Sequence, residues 1–102
     1  MGVRENKVEK HLDDGVKQLG GITRKWVSPG VDGVPDRIVF IGEVFFCEVK
    51  TVDGGYEAGQ LREHDRLRDH GAIVCTVWGE TGVNQLIEEL RMYGRPLRRQ
   101  YG

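Results

Sequence analysis

Pro35-Asp36-Arg37-Ile38-Val39-Phe40-Ile41-Gly42-Glu43-Val44-Phe45-Phe46-Cys47-Glu48-Val49-Lys50 is the stretch that decides the fold. Two apolar runs, Arg37 to Ile41 and Val44 to Lys50, flank a Gly42-Glu43 turn and predict neighbouring strands. Both are apolar at successive positions, which predicts central strands covered on both faces. Residues two apart on a strand point the same way, so Glu48 and Lys50 share a face with Val44 and Phe46. The apolar start of that face belongs in a core. Its charged end belongs in a cleft, because charges taken out of water need a partner or a metal ion.

Outward from this pair, Val8, Leu12, Val16 and Leu19 recur at helical spacing before Gly20-Gly21, which predicts a helix from Arg4 to Leu19. Ile22 to Val27 reads as an edge strand. Ser28 to Pro35 holds two Gly and two Pro and must be a loop, with Gly30 and Gly33 permitting tight turns. After Lys50 comes a polar loop to Gly59, then a helix from Gln60 to His70 closed by Gly71. Ala72 to Trp78 predicts a buried strand. Val83, Leu86, Ile87 and Leu90 predict an amphipathic helix with Thr81 as its N-cap. The tail from Gly94 carries Arg95, Arg98 and Arg99 and no acid, and Arg98-Arg99 reads as a solvated tail. The order α-β-β-β-α-β-α is an α/β sandwich around a mixed sheet, in one domain spanning 1–102.

The bulk numbers exclude some classes. With 38% hydrophobic and 30% charged residues the chain is globular rather than disordered. A net charge of -1 gives no global basic signature, although a local basic surface suffices to hold phosphates. No run is long and apolar enough for a membrane span, no signal peptide is visible, and Asn6 breaks the myristoylation pattern. A cytoplasmic location follows, in the host if the source is viral. Cys47 and Cys75 read as reduced core thiols, and the close four-ligand spacing of a structural zinc site is absent. His64 and His70 read as surface residues.

The residues that carry chemistry are Asp36 at the mouth of one strand, Glu48 and Lys50 near the end of the next, and an acid on the first helix. Carboxylate oxygens suit Mg²⁺, which keeps several waters and binds phosphate. Such an ion activates water and polarises a phosphoryl oxygen, and an adjacent lysine offsets negative charge in the transition state.

This pattern resembles the PD-(D/E)XK nuclease superfamily and, within it, the VRR-NUC family of standalone phage or bacterial type. The matching stretches are Gly33-Val34-Pro35-Asp36-Arg37, then Phe45-Phe46-Cys47-Glu48-Val49-Lys50-Thr51, then Gln60 opening the next helix. Ser28-Pro29-Gly30 and the helix ending in Gly20-Gly21 also match, so the likeness runs from Glu5 to Leu90. It implies an α-β-β-β-α-β core with a C-terminal helix and a deoxyribonuclease dependent on Mg²⁺ or Mn²⁺. It implies Asp36 and Glu48 as metal ligands with the Val49 carbonyl, Lys50 as catalytic lysine, and Gln60 beside the site. The helix glutamate is Glu5 or Glu9. Glu5 falls inside the arc of Val8, Leu12, Val16 and Leu19 and matches the family's acid-then-apolar spacing, so it is favoured.

A two-residue turn at Gly42-Glu43 would set Arg37 opposite Glu48 and point Asp36 away from it. A site using both carboxylates needs a three-residue loop, or a bulge near Asp36, that shifts the register by one. That irregularity is expected. The expected activity is structure-selective cleavage of branched or four-way junction DNA by a homodimer or higher homo-oligomer, placing one site on each strand. The alternative is a non-catalytic DNA-binding or assembly module on the same fold. Lys7, Lys10, Arg24, Lys25 and the Arg95-Arg98-Arg99 tail are candidate phosphate contacts. Trp26, Trp78 and Tyr93 are candidates for a subunit interface.

Overall fold

A computed structural model describes residues 2–102. Its elements in chain order are α1 (Val3–Gln18), β1 (Ile22–Lys25), β2 (Arg37–Ile41), β3 (Glu43–Lys50), α2 (Gln60–Asp69), β4 (Val74–Trp78), α3 (Gly79–Tyr93) and β5 (Gln100–Tyr101). The five strands form one sheet in the order β1-β2-β3-β4-β5. The pairs β1–β2 and β2–β3 are antiparallel, whereas β3–β4 and β4–β5 are parallel. The sheet is therefore mixed, as an α/β fold with a hairpin and two crossovers requires.

Side chains alternate across the sheet. On one face Val39, Phe45, Cys47, Val49, Cys75 and Val77 join Val8, Leu12 and Val16 of α1 and Val83, Leu86 and Leu90 of α3 in a single buried core. Glu48 and Thr76 lie on the other face. There α2 brings Gln60 against Glu48, and Tyr56 from the loop before it bonds to Thr76. The fold thus leaves the β1–β2 end of this second face bare. Ile22, Phe40 and Val44, neighbours across three strands, are 50%, 36% and 48% exposed. This corrects the expectation that both hairpin strands are covered on both faces. A run of apolar residues shows that a strand is apolar, not which faces a helix reaches.

The hairpin register carries the expected one-residue shift. Arg37 pairs with Cys47 and Ile41 with Glu43, leaving Gly42 alone at the turn with φ of 86°. An L side chain rarely adopts that conformation, so glycine permits this loop of Ile41-Gly42-Glu43. Continued by one residue, the register places Asp36 opposite Glu48.

One further expectation fails. α3 starts at Gly79, not beyond Thr81, and no side chain caps it; the chain turns straight from β4 into the helix at a positive-φ glycine. The tail arginines Arg95, Arg98 and Arg99 are exposed, as expected, but the chain beyond them is ordered: Gln100–Tyr101 adds β5 beside β4, and Tyr101 is 1% exposed. Its hydroxyl donates to Glu89 on α3 at 2.6 Å. A two-residue strand has no periodicity to read. The nearest sequence signal is Gly82, where a Cβ would meet the Tyr101 carbonyl oxygen at 2.5 Å.

Candidate active site

The register shift sets up the site. Asp36 lies just before β2, where its carbonyl accepts from the Trp26 amide at 3.0 Å. Its carboxylate Oδ2 accepts from the Val49 amide of β3, also at 3.0 Å. The Val49 backbone thus fixes Asp36 beside Glu48, while the Val49 side chain stays in the core. Glu48 and Lys50, two residues apart on β3, are 2% and 5% exposed. Lys50 Nζ stands 3.3 Å from Glu48 Oε2. Gln60, first residue of α2, bridges them: its Nε2 donates to Glu48 Oε2 at 2.9 Å, and its Oε1 accepts from Lys50 Nζ at 2.7 Å. The Glu57 amide donates to the same Oε1 and orients the amide group. Asp36, Glu48, Lys50 and Gln60 therefore come together.

Burial raises the pKa of Glu48 first, and the neighbouring Asp36 charge second. Lys50 and Gln60 oppose them, and the net effect pushes the carboxyl up to about 8. Its Oε1 is buried without a hydrogen-bond partner. Two carboxylates side by side, one with an orphaned oxygen, form a site that a cation would relieve. The oxygen-only donor set fits a hard divalent ion. Among the described residues no three His, Cys, Asp or Glu side chains gather closely enough to hold an ion alone.

The helix acids differ from the arc reading. Glu9, at the arc's edge, is 5% exposed and meets Arg37 Nη2 at 3.4 Å; Glu5, inside the arc, is half-buried. Position along the axis decides this, because Glu5 sits in the first turn and Glu9 one turn further over β2. Burial, opposed by Arg37, raises the pKa of Glu9. Glu5 instead lines a cleft of about 420 Å³ together with Lys50, Thr51 and Glu57. Glu57 is an acid at the cleft that sequence reasoning missed, because loop residues carry no periodicity.

His64 is a second miss. It is fully buried, not a surface residue, and its Nε2 stands 4.0 Å from Glu48 Oε1. Burial first, then the Arg68 and Lys50 charges, push its pKa down to about 4 against the Asp65 charge and the Gly33 carbonyl. The ring is neutral near pH 7. The available signal was its spacing of four from Gln60, which puts both on one face of α2. His70 is exposed, as expected.

The other candidates divide. The basic ones are all exposed, but Lys10 pairs with Asp14 and Arg98 with Glu89, whereas Lys7, Arg24 and Lys25 make no ion pair among the described residues. Trp26 packs on Phe46 with ring centroids 5.1 Å apart, and Trp78 lies edge-on to Tyr56 and donates to the Gly54 carbonyl. Both tryptophans thus complete packing within the chain, and Tyr93 alone of the three is largely exposed. No helix of the described residues is long and apolar enough to cross a membrane.

No protein-family profile matches the chain. A solved structure described as a VRR_NUC domain superposes with a TM-score of 0.76 at 37% identity, covering 85% of this chain and 97% of that one. A protein of Acyrthosiphon pisum secondary endosymbiont phage 1, named "Putative nuclease p44", is 48% identical over 67 residues, which are 64% of this chain and 72% of the relative. The chain belongs to the VRR-NUC family. Its α/β architecture with a five-strand mixed sheet is the VRR-NUC fold, and the cluster around Glu48 occupies the convergence of β2, β3 and α2 in this VRR-NUC chain.

Proposed function

We propose that this VRR-NUC chain is a nuclease that hydrolyses DNA phosphodiester bonds with Mg²⁺ or Mn²⁺, acting on branched DNA as a homodimer. The observation that carries the reading is Asp36 beside the orphaned Glu48 Oε1, with Lys50 at the same carboxylate. Relatives named for nuclease activity support it.

Asp36 and Glu48 would hold the metal, with the Val49 carbonyl beside them and Glu5 the acid that reaches the cleft from α1. When bound, the ion supplies a water of lowered pKa and a Lewis acid for the scissile phosphate. Lys50 offsets the charge that develops on the phosphoryl oxygens and orients the attacking water. Gln60 keeps Lys50 and Glu48 at a fixed spacing, so neither must reorganise during the reaction. A non-catalytic module would have no use for this complete set. On each of the three helices acidic residues are interspersed with the basic ones, so no helix presents a purely basic face. Phosphates and DNA shape are therefore what remains to be recognised, which favours structure-selective over sequence-specific cutting.

The test is cleavage of linear, nicked, flapped and four-way DNA with Mg²⁺, with Mn²⁺ and with chelator. Cutting should require metal and favour branched substrates. Asp36→Asn and Glu48→Gln should each lower the rate by more than about 100-fold, the upper end of the loss when a residue merely orients a ligand. Lys50→Ala should lose cleavage yet keep metal affinity. Cleavage of all four substrates in chelator would refute the metal, and near-normal cutting by either carboxylate variant would refute the site.

A further inference from the structure

Glu48 is gripped on one oxygen only. Oε2 meets Lys50 and Gln60, while Oε1 is buried without a partner. His64 is fully buried 4.0 Å from that oxygen; neither ring nitrogen bonds to a side chain, and the Gly33 carbonyl acts on the ring without closing a hydrogen bond of good geometry. An orphaned carboxylate oxygen and an under-satisfied imidazole thus face each other inside the protein, where unpaired polar atoms are costly. Gln60 and His64 are four residues apart on α2, so one helical face presents the first to Oε2 and the second to Oε1. The ring is walled in by Tyr56, which meets it edge-on at 5.9 Å and is itself held by Thr76.

We propose that His64 is a positioning residue for Glu48: its ring donates Nε2–H to Oε1 and holds the carboxylate in the orientation that, with Asp36, binds a divalent cation. This rests on the metal-dependent reading of the site. The present separation is about 1 Å beyond hydrogen-bond reach, a gap that a small turn of the carboxyl closes. A carboxylate that holds a cation is charged, and a hydrogen bond to a charged acceptor is shorter and stronger than one to a neutral acceptor. Groups behind a metal ligand act in this way, fixing its orientation without touching the ion. The competing acceptor is the Gly33 carbonyl, which also acts on the ring. A ring proton given to Gly33 would leave Oε1 facing a lone pair.

The experiment compares the full chain with His64→Gln, whose amide can replace the donor, and His64→Leu, which cannot donate. Calorimetric titration with Mg²⁺ and Mn²⁺ reads metal affinity, and thermal melting without metal reads packing. His64→Leu should bind metal about 10- to 100-fold more weakly, and His64→Gln should recover most of that loss. Wild-type affinity in His64→Leu, even with a lowered melting temperature, makes His64 a packing residue and overturns the proposal. So does a loss in His64→Gln equal to that in His64→Leu. Failure of the wild-type protein to bind either metal overturns the metal reading itself, and this inference with it. Should His64→Leu not fold, ¹⁵N chemical shifts of the wild-type imidazole decide: a proton on Nε2 supports the proposal, and a proton on Nδ1 overturns it.

Discussion

Glu48 concentrates the electrostatics of the site. Its carboxyl titrates near 4.5 when unperturbed and at about 8 in the folded chain, raised by burial and then by Asp36. The folded state therefore binds this proton more tightly than the unfolded state does. The stability it contributes is whole below about pH 4.5 and is lost as pH rises toward about 8. Without metal, Glu48→Gln escapes that loss. Its melting temperature should gain on the wild type as pH climbs through this window, with no further gain above it. Added Mg²⁺ should raise the wild-type melting temperature and leave Glu48→Gln unmoved, because a ligand stabilises only the state that binds it. A constant difference between the two proteins across the whole window would show that Glu48 titrates normally.

Between α1 and the hairpin the join is Arg37. It follows Asp36 directly, and its guanidinium donates to Asp13 at 3.1 Å and approaches Glu9 at 3.4 Å, with only 12% of the side chain exposed. Asp13 also accepts from Thr23 of β1, so one cluster ties α1 to two strands. Removing one partner of a buried pair leaves the other charge stranded, at a cost of about 3 kcal/mol or more. Arg37→Ala should destabilise by that order in a denaturant titration, and adding Glu9→Gln should restore part of the loss. Additive losses in the double variant would mean that the pair does not interact. The same geometry occupies Glu9 and leaves Glu5 on the cleft. Glu5→Gln should thus lower cleavage more than Glu9→Gln, and the reverse result would move the helix ligand to Glu9.

Over the whole molecule, the net charge of -1 hides an uneven surface. Lys25 on β1 pairs with Arg37, the residue after Asp36, and with Arg24 and Lys7 it is exposed. Phosphate contacts at such residues release counterions, so DNA affinity should fall steeply with salt. A flat plot of log affinity against log salt would argue against phosphate-led binding. Light scattering should return at least twice the 11.5 kDa chain mass, and four-way DNA should be cut at paired positions. A monomer at micromolar concentration that nicks linear and branched DNA equally would contradict both.

The sequence by itself determined the local elements and the family. Helical spacing placed α1 and α3, apolar runs placed β2 to β4, and each main helix falls within a few residues of its expected ends, because local patterns dictate local structure. Asp36, Glu48, Lys50 and Gln60 were legible as an ordered motif, and the need to bring the two carboxylates to one face already demanded a shifted hairpin. Only the tertiary structure decided what depends on distance through space. It covered one half of the second sheet face with α2 and left Phe40 and Val44 bare. It paired Glu9 with Arg37, drew the Tyr101 tail into the sheet, and buried His64 against Glu48. Burial and pairing across the chain are properties of packed elements, and the spacing of residues along one element does not contain them.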